Sequence, residues 1–578
     1  MTRLKHLFVT ISNPRQRQYE AIRATEIDNL SIAKAAKKFN YQTSTLYALI
    51  RDIKAGKKEL FPSSTTKARR TQIPDYITNR VFQLRKQNRS AKDIAVSLSS
   101  EGYKIATRTV ERILEKAGFR KLKRRTKTEL GLTCKIQQLP ERAKAINFKW
   151  LKAFSVDLPV VGVFFFIPYI IESGILDIVS RCKLPGSSAI NSIQASLTML
   201  LLKLIGSERL SHINNYNHEP GLALFAGLTM LPKSSYMTSY SCRTSQELLA
   251  NFQTQVVANF QKIYPDFYQS NYINLDFHSI PHYGTESQME KVWVGAKHQA
   301  MKGAHTLFAQ DSQSNVILYT KADILRANEA KEIKHFVTYW KSIRRRSIQE
   351  TLVFDCKLTN YDVLDELNRD NIKFITLRKR SKKLLDFAAS ITEKEWKKIH
   401  VPIPKRKNKY CKVYESEVVL KKGCLPLRQI IIKDHGRAIP TFIITNNFNL
   451  MTKDVLIVYA KRWHLENKLA ELVAFFNLNA LSSSLMIRIH FDLLWTIIAD
   501  TLYRRFARDL PRFENERANT LFKRFINMPG KVTYNGDQFV VKIRKRAHTP
   551  ILKGITVLEN GINVPWLKKK KLKIEWTA

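Results

Sequence analysis

The chain has 578 residues, 44% hydrophobic and 25% charged, which provides for packed cores and excludes a collagenous or wholly disordered protein. That length predicts three or four domains rather than one. Lys and Arg number 97 against 49 Asp and Glu, a net charge of +48, so a polyanion is the expected partner. The excess is spread along the chain and accompanies DNA-reading patterns, which favours nucleic acid over an anionic membrane.

Residues 1–130 carry 30 Lys and Arg against 11 Asp and Glu. They read as two all-α helix-turn-helix units, over 1–60 and 71–130. In the first, Ile32, Ala35, Ala36 and Phe39 have helical spacing, the polar break Asn40–Thr43 follows, and Ser44–Arg51 is a second helix. Such a second helix can enter the major groove, with Gln42, Thr43, Ser44 and Tyr47 facing bases or phosphates. In the second unit Ser90 and Asp93 resemble a capping box, opening a helix over Asp93–Ser99. After the turn Glu101-Gly102-Tyr103, Thr107–Leu114 is the candidate recognition helix. Val110, Ile113 and Leu114 form its buried stripe, with Thr107 at its start and Arg108 and Arg112 outside. The stretch 62–70 reads as a linker, and Lys121–Lys127 as a basic exit. A packing module without a DNA role has a similar pattern; two such units in so basic a segment favour DNA.

Residues 140–265 are expected to be helical and apolar, without legible chemistry. The apolar run Leu158–Ile171 is interrupted by Pro159 and Pro168 and is too short to span a bilayer, so a buried segment is expected. The start MTRLKHLFVTISNPRQ lacks the apolar core of a signal peptide. The six cysteines (134, 182, 242, 356, 411 and 424) form no C-x-x-C pair, which argues against a zinc ribbon or disulfide framework and suits a reducing cytoplasm.

Residues 266–384 read as an α/β core, with strands at Tyr272–Phe277, Thr306–Gln310, Val316–Thr320, Thr351–Phe354 and Phe374–Leu377. A helix between the third and fourth strands has Ile333, Phe336, Val337, Trp340 and Ile343 on one face. Residues 385–450 read as a β-rich insertion, with strands at Val413–Leu420, Gln429–Lys433 and Thr441–Thr445. Core helices follow over 451–510. The basic region 511–578 has a hairpin at Asn535-Gly536, a type I′ signal, and the cluster Lys568–Lys571.

Three carboxylates carry the candidate chemistry. Asp276 lies within an apolar strand and Asp355 directly ends another, where α/β sheets present their ligand crevice. A carboxylate there meets a cation or bears a burial penalty; taken singly, each could also simply cap a turn. Glu466 follows Tyr459 and Arg462 on one helix face, a spacing that also suits an ordinary Arg–Glu pair. Together they suit phosphodiester chemistry on two divalent ions about 3.5–4 Å apart, for which hard carboxylate oxygens favour Mg²⁺ or Mn²⁺.

The order Asp276, Asp355, Glu466, with β-strands before the glutamate, resembles bacterial DDE transposases of the IS4-like group. The words Leu-Asp276-Phe-His-Ser-Ile-Pro-His-Tyr-Gly284, Val-Phe-Asp355, Phe-Ile-Thr-Leu-Arg378 and Lys461-Arg-Trp-His-Leu-Glu466 carry the resemblance. Tyr459, Arg462 and Glu466 match three positions of that group's Y-R-E-K signature. The resemblance covers roughly residues 150–550. It implies a ribonuclease H-like core, a mixed five-stranded sheet with helices interrupted by the β-rich insertion. It further implies two Mg²⁺ or Mn²⁺ ions on the three carboxylates, Arg462 on a DNA phosphate and Tyr459 against the terminal nucleotide. The signature lysine falls at Val473, which cannot contact phosphate, leaving Lys468 or Arg378 as substitutes.

The expected activity is cleavage at the terminal inverted repeats of a mobile element and transfer of the 3′-OH ends to target DNA. The partner is double-stranded DNA, not membrane, and a homodimer is expected because two ends are held together. A bacterial, nucleoid-associated cytoplasmic location follows. The alternatives are a metal-dependent nuclease without strand transfer and a DNA-binding regulator or impaired copy. Asp276, His278 and His282 lack the further ligands of a zinc site. Cys356 has no legible triad, no phosphate-binding G-x-x-x-x-G-K-[ST] loop is present, and Trp463 is expected to pack.

Overall fold

The computed structural model describes residues 11, 13–61, 73–87, 89–120, 122, 142–284, 289–402, 409–480 and 485–577. The expected linker 62–70, and the basic exit apart from Leu122, lie outside the described residues. The chain divides into two compact units, residues 1–137 and 138–578.

The first unit holds two helical trios. In one, helices Pro14–Glu26, Ile32–Lys38 and Thr43–Lys54 enclose Ala21, Ala35, Ala36, Leu46, Leu49 and Ile50. Asn40 makes the turn with φ +54°, in the left-handed region that Asn tolerates. In the other, helices Asp75–Lys86, Ala91–Ser100 and Thr107–Lys116 enclose Val81, Ile94, Leu98, Val110 and Leu114. The Ser90–Asp93 capping box is present, and it starts its helix at Ala91 rather than Asp93 because Ser90 is the N-cap. The leading helix of each trio was not anticipated. In Pro14–Glu26 the buried residues are the alanines 21 and 24, which give no hydrophobic stripe to read.

The second unit is built on two sheets. The strands, in chain order, are β1 (Phe154–Leu158), β2 (Tyr272–Pro281), β3 (Lys291–Val294), β4 (Gln299–Asp311), β5 (Ile317–Lys321), β6 (Thr351–Phe354), β7 (Phe374–Leu377) and β8 (Lys397–His400). There follow β9 (Tyr410–Val418), β10 (Leu427–Lys433), β11 (Thr441–Thr445), β12 (Gly530–Tyr534), β13 (Gln538–Arg544), β14 (Ile562–Val564) and β15 (Lys570–Thr577). The larger, ten-stranded sheet runs β3-β4-β2-β6-β7-β11-β10-β9-β8, with β5 also on β4. At its centre β2, β6 and β7 are parallel, whereas β4 and β5 are antiparallel additions. Helix Tyr361–Arg369 links the parallel neighbours β6 and β7, as such a pair requires, and helix Glu332–Arg344 carries the chain from β5 across the sheet to β6.

The strands expected as a separate insertion instead continue this sheet. Antiparallel β11 pairs with β7, so β8 to β11 extend the edge that the parallel strands leave open. The second sheet, β1-β12-β13-β15-β14, draws β1 from the region expected to be helical and joins it to the C-terminal strands. The Asn535-Gly536 hairpin is present, but its turn is not type I′. Gly536 has positive φ while Asn535 does not, and the Asn535 side chain accepts the amides of Asp537 and Gln538.

Both faces of the larger sheet are covered. Leu352, Phe354 and Phe374 belong to the main core with helices Trp463–Phe476 and Met486–Arg508. Val353, Ile375, Ile430 and Ile443 belong to a second core with Val455, Leu456 and Val458 of helix Thr452–Lys461. The apolar run after β1 becomes a 3₁₀ turn, Val161–Phe166, and helix Ile167–Glu172, inside the main core. Among the described residues no single helix is long and apolar enough to cross a membrane.

Candidate active site

The parallel register of β2 on β6 pairs Leu275 with Phe354. Asp276 is the next residue of β2 and Asp355 directly follows the end of β6, so the register brings the two aspartates to the same end of neighbouring strands, where the Asp355 charge acts on Asp276. Asp276 Oδ1 accepts the amide of Phe277 at 2.9 Å, and Asp355 Oδ1 that of Cys356 at 2.7 Å. Each carboxylate is thus fixed at its root.

Arg462 and Glu466 reach the same place through a break between helices. Thr452–Lys461 packs on the second core and Trp463–Phe476 on the main core, and these lie on opposite faces of the sheet. Arg462 is the junction between them. The expectation of Tyr459, Arg462 and Glu466 on one continuous helix is therefore corrected: the chain changes faces at Arg462, and that crossing carries the guanidinium to Asp276. Arg462 Nη1 donates to Asp276 Oδ2 at 2.5 Å, and Nη2 to Glu466 Oε1 at 2.9 Å. Arg462 also stands 5.8 Å from the Tyr459 ring centroid.

The electrostatics follow from this crowding. Burial pushes the Asp276 carboxyl above its ordinary range; Arg462 opposes the shift, and the charges of Asp355 and Glu466 add to it. Burial likewise raises the Tyr459 hydroxyl, against the pull of Arg462. The Arg462 guanidinium is held charged above its ordinary value by its anionic neighbours, although burial acts against it.

The donor set suits a hard divalent cation: three carboxylates, two rooted in the sheet and one, Glu466, with an exposed side chain. Among the described residues no group of three or more His, Cys, Asp or Glu side chains is spaced to hold a metal ion. Arg462 spans Asp276 and Glu466 and supplies positive charge between them.

The other expected residues are dispersed. Gln42, Thr43, Ser44 and Tyr47 are exposed at the start of helix Thr43–Lys54 in the first unit. Arg108 and Arg112 are exposed on helix Thr107–Lys116, whereas Thr107 is half-buried. Arg378 follows β7, but its Nη1 donates to Gln429 of β10 at 2.6 Å, so its guanidinium turns toward the extended sheet edge. Lys468 cannot stand in for the missing signature lysine: it is buried, with Nζ 2.5 Å from Asp500 and 3.2 Å from Glu471. Val473 is partly buried against the main core. Trp463, expected to pack, is 64% exposed.

Two relationships were missed by the sequence reading. His278 Nε2 lies 2.8 Å from Asn479 Oδ1, tying β2 near Asp276 to the residues after helix Trp463–Phe476. Asn479 lies in no periodic pattern, so no local signal marks it. The ion cluster of Lys468, Glu471, Asp500 and Arg504 was marked, in retrospect, by charges at i, i+3 and i, i+4 in otherwise apolar helices.

No family model matches the sequence, and no curated protein matches it. Among solved structures, a piggyBac transposase synaptic complex with hairpin DNA overlaps 64% of this chain and 80% of its own, at 11% identity and a TM-score of 0.37. A pre-cleavage Mos1 transpososome overlaps 63% of this chain and 78% of its own, at 9% identity and a TM-score of 0.13. At these TM-scores neither overlap fixes the fold.

Proposed function

We propose that this chain is a DDE-type transposase with a ribonuclease H-like core, which cleaves the ends of its own element and joins their 3′-OH groups to target DNA. The observation that carries this reading is the convergence of Asp276 on β2 and Asp355 at the end of neighbouring β6, with Arg462 linking Asp276 to Glu466. The mixed central sheet, with a helix before β6 and another before β7, supports the core that the sequence resemblance implies.

In this reading Asp276, Asp355 and Glu466 would hold Mg²⁺ or Mn²⁺, which would supply Lewis-acid activation of the attacking oxygen and charge stabilisation of the leaving one. The chain's own groups do the rest. The two sheet aspartates give a rigid pair of acceptors, and Glu466, on the more exposed helix, adjusts to them. Arg462 exchanges its carboxylate partners for a DNA phosphate, a bidentate contact that suits guanidinium. Tyr459, packed beneath it, limits where that guanidinium can swing. Double-stranded DNA is the partner, and two copies of the chain hold the two ends.

The second reading, a DNA-binding protein that does not cut, is favoured by one observation: Val473 packs on the core and Lys468 is locked away, so neither replaces the signature lysine. Labelled DNA carrying the flanking inverted repeats, incubated with Mg²⁺ or Mn²⁺, separates the readings. Metal-dependent cleavage and joined products, absent in Asp355→Ala, are expected. Cleavage without joining indicates a nuclease, and binding without cleavage in both proteins indicates the second reading.

A further inference from the structure

The smaller sheet has one buried and one solvent-facing side. Val532, Tyr534, Phe539, Val541, Ile543 and Leu572 point into the main core. The alternate positions bring Lys531, Lys542, Arg544, Lys571 and Lys573 to the other side, against the two carboxylates Asp157 and Glu575. Lys531, Arg544, Lys571 and Lys573 are exposed and Lys542 half-exposed. Lys531 stands opposite Lys542 across β12 and β13, with Asp157 3.6 Å from Lys531 and Glu575 opposite Lys542 on the far side, so the five cations outnumber the two carboxylates that share their face. Like charges directly opposite one another in a sheet are destabilising; the neighbouring carboxylates offset only part of this, and a bound polyanion would offset the rest.

We propose that this face is a docking surface for the phosphate backbone of duplex DNA, held without regard to base sequence. Strands lie about 4.8 Å apart and same-face neighbours about 6.6 Å apart along a strand, so the cations form a grid rather than a point site. Thr533, Gln538 and Asn563 share the face and add neutral hydrogen-bond donors for phosphate oxygens. No aromatic side chain lies on the face, and single-strand binding uses aromatics to stack bases. Its one aliphatic member, Val540, is only 8% exposed, which leaves nothing to insert into a lipid interface. The proposal rests on the DNA-processing reading for the identity of the polyanion and needs none of the catalytic carboxylates.

The test compares full-length wild type with a variant carrying Lys531→Gln, Lys542→Gln, Lys571→Gln and Lys573→Gln. A control removes equal charge from exposed lysines elsewhere in the same unit, through Lys183→Gln, Lys233→Gln, Lys262→Gln and Lys394→Gln. Binding to a duplex of arbitrary sequence is followed by fluorescence anisotropy between about 50 and 200 mM salt. Circular dichroism checks that each variant is folded. The face variant is expected to lose at least tenfold in affinity and roughly 3 to 4 in the slope of log affinity against log salt, with the control near wild type. Equal losses in both variants, or none in either, overturn the proposal. So does wild-type binding to vesicles of anionic lipid in place of duplex. Failure of the catalytic reading has a different signature: no metal-dependent cleavage, with the salt-dependent binding and its loss in the face variant intact.

Discussion

The guanidinium of Arg462 donates to the carboxylate of Asp276 at 2.5 Å, joining positions 186 residues apart in the chain. It also holds Glu466, and so acts as an internal counter-ion for carboxylates that would otherwise repel one another. Breaking a buried pair by removing one partner costs about 3–5 kcal/mol. Arg462→Ala is therefore expected to lower the melting temperature. Mn²⁺ is expected to restore part of the loss, because an ion that binds the folded state alone stabilises it. Calorimetry with and without Mn²⁺ checks this. If Mn²⁺ stabilises neither the variant nor wild type, the three carboxylates are not a metal site. Gel-shift titration of the same variant is expected to show cleaved ends bound about tenfold more weakly, the loss of one charge-assisted phosphate contact.

The buried ion cluster makes a second point of failure. Lys468 and Asp500 are each about 1% exposed, and they join helix Trp463–Phe476, which carries Glu466, to helix Met486–Arg508. Lys468→Met strands a buried carboxylate and is expected to destabilise the fold by about 3–5 kcal/mol. Adding Asp500→Leu is expected to recover most of that. A double variant as unstable as the single one in urea denaturation would show that Glu471 and Arg504 cannot neutralise each other without the pair.

Acid is expected to weaken the second unit before its carboxylates titrate. Burial, with a smaller push from Lys321, lowers His490 to about 4, and His490 Nδ1 lies 2.9 Å from Gln246 Oε1. A histidine depressed in the folded state contributes stability that is complete above its unfolded pKa, near 6.5, and is lost as pH falls toward 4. The contribution is roughly 3 kcal/mol. Melting temperature measured from pH 7 to 4 is expected to fall less steeply in His490→Gln than in wild type. Equal slopes would assign the acid sensitivity elsewhere.

In the first unit Arg108 and Arg112 stand on the outer side of their helix, and Arg108 has only an exposed partner, Glu111, at 3.4 Å. Such a pair adds little stability. Arg108→Gln with Arg112→Gln is expected to leave the melting curve unchanged. If both arginines meet phosphates, the salt slope of end binding drops by about 2. An unchanged slope would make this trio a packing module.

The legible parts of the fold were those whose signal is local. β6, β7 and β11 fall at the expected residues because each is a short apolar run bounded by polar residues. Helix Glu332–Arg344 buries all five residues of its expected stripe. The aspartates were legible for the same reason, as charges interrupting or ending apolar strands. What local pattern does not encode is pairing. Nothing in Phe154–Leu158 names Gly530–Tyr534 as its partner, and nothing in 410–445 distinguishes a separate insertion from an extended sheet edge. The lysines of β15 conceal a strand whose alternate residues are apolar, because the polar side faces solvent. The break at Arg462 was hidden because the helical pattern runs through it, and only the positions of the two cores reveal the change of face.

The pairing of β1 with β12 makes the order of synthesis matter. The residues of β1 leave the ribosome early, whereas their partner is made only when translation has moved from residue 158 to residue 530. At about 5–20 residues per second that interval is on the order of 20–75 s. Throughout it β1 lacks its strand partner, while the phenylalanine-rich turn behind it gains Phe225 early and helix Met486–Arg508 only late. Newly made chains therefore spend most of that interval with the edge of β1 unpaired, although contacts such as Tyr169 with Asp509 and Phe166 with Tyr503 join the early and late parts before residue 530 is made.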